Sequence, residues 1–71
     1  MTTNEALQHI FSDKKGFEKL NIGYSTWLTW RYRFREDSLS DELKDTIIEK
    51  YGGKLIQDKQ WELPKPGDKN H

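Results

Sequence analysis

Residues 21–35, NIGYSTWLTWRYRFR, set the hydroxyls of Tyr24, Ser25, Thr29 and Tyr32 beside Leu28 and the guanidinium groups of Arg31, Arg33 and Arg35, with no acid between positions 24 and 35. Such a set is equipped for recognition. A serine or threonine hydroxyl can donate to or accept from a base edge, a leucine can press on a thymine methyl, and a cation answers a phosphate. The parts for covalent or acid–base chemistry are missing. His9 has no acid or nucleophile at motif spacing, His71 falls in a polar terminal stretch, and there is no glycine-rich phosphate loop, paired-histidine motif or cysteine. We expect no enzyme, cofactor, metal site or small-molecule substrate.

The charge pattern points the same way. Net charge is zero, yet residues 14–35 hold Lys14, Lys15, Lys19, Arg31, Arg33 and Arg35 against Glu18 alone. Residues 36–50 hold Glu36, Asp37, Asp41, Glu42, Asp45 and Glu49 against Lys44 and Lys50. A polyanion responds to the field at its own contact surface, so segregation matters more than the total.

The recognition residues need a frame. NEALQHIF has Ala6, Leu7, Ile10 and Phe11 at helical spacing, with Thr3 or Asn4 as the N-cap. KKGFEKL spans two helical turns with Phe17 and Leu20 on one side, and Asn21 after it tolerates the left-handed conformation in which helices stop. In the helix that follows, Trp27, Trp30 and Phe34 share one stripe and are expected in the core. SLSDELKDTIIEKYGG reads as a fourth helix, capped by Ser40, packed through Leu43, Ile47 and Ile48 and stopped by Gly52. KLIQDKQWEL alternates, placing Leu55, Trp61 and Leu63 on one face of a strand, or else it turns at Asp58 and Lys59 into a hairpin.

A short helix, a tight turn and a longer helix with a buried stripe form a helix-turn-helix. GFEKLNIGYSTWLTWRYRFR resembles the phage Cro and repressor family of this motif. Members usually show leucine-glycine-valine where this chain has Leu20-Asn21-Ile22, a buried aliphatic at the place of Trp27, and often a tryptophan at that of Trp30. Phe17 stands where the family prefers alanine, and with Trp27 it would widen the separation of the two helices and alter the docking angle. The resemblance implies that the second helix enters the major groove of DNA, with Tyr24, Ser25, Leu28, Thr29 and Tyr32 facing bases. The helical wheel puts the same residues opposite Trp27. Lys14, Lys15, Lys19, Arg31, Arg33 and Arg35 are the candidates for phosphate contact, Arg31 and Arg33 being able to reach bases at another docking angle.

The expectation is therefore a mainly α, compact four-helix domain over residues 1–63 with a C-terminal strand or short hairpin, followed by a disordered polar tail over 64–71. It would bind double-stranded DNA as a small Cro-like transcription regulator, a repressor of phage or mobile-element type. The alternatives are a protein-interaction module on the same scaffold or an accessory factor in recombination or excision. Residues 54–63 could join two copies into a homodimer by closing an open strand edge, which would put Leu55, Trp61 and Leu63 inside. With a mean hydropathy of −1.06 and no signal-like start, a cytoplasmic location without membrane contact is expected.

Overall fold

A computed structural model describes residues 1–64, so the expected tail lies outside the described residues apart from Pro64. Four helices and a two-stranded antiparallel hairpin follow one another: α1 (Thr3–Ser12), α2 (Gly16–Lys19), α3 (Tyr24–Arg35), α4 (Asp41–Tyr51), β1 (Lys54–Gln57) and β2 (Gln60–Glu62). The mainly helical class is the one read from the pattern of apolar residues, and the hairpin is one of the two C-terminal forms expected. Among the described residues, no helix is long and apolar enough to cross a membrane.

Helix α1 is capped by Thr2 rather than by Thr3 or Asn4. Thr2 Oγ1 accepts from the Glu5 amide at 3.2 Å, and Glu5 Oε1 accepts from the Thr2 amide at 2.8 Å. This reciprocal box satisfies two orphan donors at once, which neither expected cap can do. Ser40 caps α4 as expected, accepting from the Leu43 amide at 3.2 Å.

Three helices end in the same turn. Asn21, Asp37 and Gly52 all have positive φ (58°, 57° and 105°), and the residue after each donates back across five positions: Ile22 to Phe17, Ser38 to Arg33, Gly53 to Ile48. These bonds satisfy carbonyls that a helix end would leave bare. Asn21 thus does what its place between Leu20, which is buried, and half-buried Ile22 required.

The core is a layer of α1 against α4, built from Ala6, Leu7, Ile10, Ile47 and Ile48, all fully buried, and closed by Leu20, Trp27, Leu39, Trp61 and Leu63. Strand β2 is central rather than terminal. On one side it pairs with β1, in the register Lys54↔Glu62 and Leu55↔Trp61. On the other it takes residues 1–2, with the Trp61 amide donating to the Met1 carbonyl at 2.7 Å and Thr2 bridging Gln60. The lone-strand alternative gives way to the hairpin, which turns at Asp58 and Lys59.

Leu55 departs from expectation. It lies across from Trp61 but is 56% exposed, because α1 covers β2 and leaves β1 overhanging as the outer edge, with a bulge between Leu55 and Gln57.

Candidate nucleic-acid interface

Helix α3 is held to the core by one large side chain. Trp27 is 2% exposed and is clasped by aromatic rings, Phe11 at 5.1 Å and Phe17 at 6.3 Å between centroids. Trp30 and Phe34, expected beside it in the core, are only half-buried against its rim. The reason is lack of material: α1 meets α3 through Phe11, which touches Phe34 at 5.3 Å, and among the described residues no further layer covers the rest of the helix. Most of the α3 circumference therefore faces outward.

Clearance for Trp27 comes from Gly16 at the start of α2. A Cβ there would lie 2.6 Å from Trp27 Cη2 and 3.0 Å from the Ile10 carbonyl oxygen. The spacing that an alanine at position 17 would supply in the resembled family is supplied here one residue earlier. Phe17 then turns aside, edge-on to Tyr24 with centroids 5.3 Å apart and ring planes at 76°. Helix α2 is a single turn, not two, because Lys14 and Lys15 belong to the preceding turn.

That turn is organised by Asp13, which position in the sequence did not mark. Its Oδ1 accepts from the Lys15 amide at 3.0 Å, and its Oδ2 accepts from Lys19 Nζ and from the Tyr51 hydroxyl, each at 2.9 Å. The Lys19 bond holds the Asp13 carboxyl below the ordinary carboxylate range, against a partial burial that pulls it up. The same bond raises the Lys19 ammonium, and burial raises the Tyr51 phenol. One carboxylate thereby ties the ends of α1 and α4 to α2.

The residues expected to face bases are brought together. Tyr24, Ser25, Leu28, Thr29 and Tyr32 are all exposed and occupy one side of α3, away from Trp27. Tyr24, Leu28 and Tyr32 form a row at four-residue spacing, with 56%, 43% and 62% exposure. Thr29 Oγ1 donates to the Ser25 carbonyl at 3.1 Å, so its methyl group and a lone pair remain for a partner.

The cations divide. At roughly 100° per residue, Arg33 falls beyond Thr29 at one edge of this face, Arg35 falls between Tyr24 and Leu28 and continues their row one turn past Tyr32, and both are exposed. Lys14 and Lys15 are exposed in the turn before α2. Lys19 is engaged by Asp13 and lies over the Tyr51 ring at 5.2 Å. Arg31 is half-buried, 6.0 Å over the Trp27 ring, in a groove between α1 and α3 with Gln8, Phe11 and Phe34. The structure therefore sets two of the six phosphate candidates apart from the other four.

The acidic residues of α4 lie on a separate helix, whose exposed row includes Asp41, Glu42 and Glu49. Glu36 and Asp37 instead follow Arg35 directly, in the turn that ends α3. No protein-family model, characterised protein or solved structure matches this chain.

Proposed function

We propose that this chain binds double-stranded DNA through α3, as a small transcription regulator of the Cro and repressor kind. One observation carries the reading: a helix with one side left exposed presents hydroxyls and Leu28 together with two exposed arginines, Arg33 at the edge of that side and Arg35 at its C-terminal end, and none of its residues is acidic. An α-helix fits the major groove, whose width of about 12 Å admits it, and flanking cations meet the phosphates on either side. Arg33, Arg35, Lys14 and Lys15 are the phosphate contacts in this reading. Lys19 and Arg31 serve chiefly to hold the turn and the Trp27 ring. A repressor of phage or mobile-element type is the form that the sequence resemblance supports.

Dimerisation belongs to the same proposal. The outer edge of β1 carries Leu55 and Ile56 at 56% and 60% exposure, and pairing it with the same edge of a second copy would cover both and set two α3 helices on one duplex. Trp61 and Leu63 are already inside the protomer, so the joint differs from the one expected.

The test is the double variant Arg33→Ala, Arg35→Ala, titrated with duplex DNA over a range of salt concentrations. Losing two phosphate contacts should lower the slope of log affinity against log salt by about 1.8. An unchanged slope in a folded variant would remove Arg33 and Arg35 from the interface. The exposed row Tyr24, Leu28 and Tyr32 favours a protein partner as the second reading, to be adopted if no duplex binds at low salt.

A further inference from the structure

We infer that the α3 face selects its DNA by the C5-methyl groups of thymine. The inference rests on the proposed duplex binding and concerns which bases that site prefers.

Tyr24, Ser25, Leu28, Thr29 and Tyr32 include no amide, guanidinium or carboxylate. Guanine is read most often by the paired donors of arginine or lysine, adenine by asparagine or glutamine, and cytosine by an acid. None of those pairings is available from Tyr24 to Tyr32, and Arg35, which continues the row one turn further, is a phosphate contact in the proposed reading. A guanine set against Leu28 would leave its O6 and N7 without a donor in a contact that excludes water.

What the face has is apolar and stiff. Leu28, 43% exposed, stands midway between two exposed tyrosines, and the eight steps from Tyr24 to Tyr32 at 1.5 Å each make that row about 12 Å long, comparable with the groove. Tyr24 is braced edge-on by Phe17, so its ring is placed before any ligand arrives. Thr29 has given its hydroxyl proton to the Ser25 carbonyl and offers a methyl group beside Leu28. In the major groove the thymine methyl is the apolar group among the base-edge features, and it is the natural complement of this row. Exposed Arg33 beside the face and Arg35 at the C-terminal end of the row supply the charge complementarity that seats the row against the base edges.

The experiment uses the full chain and three labelled duplexes of equal length at matched salt, followed by fluorescence anisotropy. The first contains only A·T pairs, the second has deoxyuridine at every thymidine position, and the third contains only G·C pairs. Burying one methyl group is worth roughly a fourfold change in affinity, so removing two or more should weaken binding by about tenfold or more. The salt slope should not change between the first two duplexes, and Leu28→Ala should erase most of their difference while leaving its own salt slope intact. Equal affinity for the thymidine and deoxyuridine duplexes, with salt-dependent binding still present, overturns the inference and leaves duplex binding standing. Tighter binding to the G·C duplex also overturns it. Failure of all three duplexes to bind at low salt removes duplex binding and, with it, this inference.

Discussion

Gly16→Ala tests the packing that sets the pose of α3. The added Cβ would sit 2.6 Å from Trp27 Cη2, 3.1 Å from Trp27 Cζ3 and 3.0 Å from the Ile10 carbonyl oxygen. Neither neighbour can yield easily. The indole is held by Phe11 and Phe17 and covered by Arg31, and the carbonyl belongs to α1. Overpacking of this kind costs about 1–3 kcal/mol, while replacing glycine by alanine at a position of ordinary φ returns about 0.4–1 kcal/mol through the unfolded chain. The net expectation is a loss of about 1–2 kcal/mol, or a fall in Tm of roughly 4–16 °C for a domain of this size. Thermal unfolding followed by tryptophan fluorescence measures it. A second variant isolates the cause: Trp27→Phe removes the ring atoms that collide, so Gly16→Ala should be tolerated in that background. The coupling in the double-mutant cycle should reach about 1 kcal/mol or more. Full stability of Gly16→Ala, or strict additivity in the cycle, would refute the account of how α2 supports α3.

Other perturbations address the rest of the frame. Asp13→Asn should destabilise the protein by on the order of 1 kcal/mol near neutral pH, a figure kept small because Lys19 remains about half exposed. The folded Asp13 pKa lies below its unfolded value, so this contribution is present above about pH 4 and is lost as pH falls through the folded value. The stability gap between wild type and Asp13→Asn should accordingly narrow on acidification, as urea denaturation at several pH values would show, and a gap that stays constant as pH falls would contradict the assignment. Thr3→Val removes the oxygen that accepts from Trp61 Nε1 at 3.1 Å and leaves an indole N–H unpaired on a residue 3% exposed. A loss of about 1–3 kcal/mol is expected, with Thr3→Ser close to wild type. Trp27→Ala should cost about 3–5 kcal/mol, and Trp30→Ala distinctly less, since its ring is only half-buried. Equal losses by calorimetry would mean that α3 is rotated on its axis.

Local chemistry made much of this fold legible. The Ser40 cap, the stripe of Ile47 and Ile48 and the Gly52 stop are all written within one segment, and so is the left-handed turn at Asn21. The outward face of α3 followed from periodicity, because one large residue, Trp27, fixes the phase of the helix. What escaped reading depends on residues far apart in the chain. Asp13 meets Tyr51 across 38 positions, and residues 1–2 dock on β2 across about 60. Gly16 looks like a helix breaker in KKGFEKL, and only the position of the Trp27 ring reveals it as a clearance. Lys19 counted as a free cation until Asp13 was placed beside it. Leu55 obeys the alternation of its strand, yet alternation cannot say which strand of a hairpin the helices cover.

Whether α3 is a DNA-reading helix is decided most directly by titrating the isotope-labelled chain with duplex DNA and following backbone amide shifts by NMR at low and moderate salt. If α3 reads DNA, shifts concentrate at residues 24–35 and at Lys14 and Lys15 and fade as salt rises, with α4 unaffected. Absence of shifts at low salt, or shifts confined to the acidic helix and the hairpin, would contradict it.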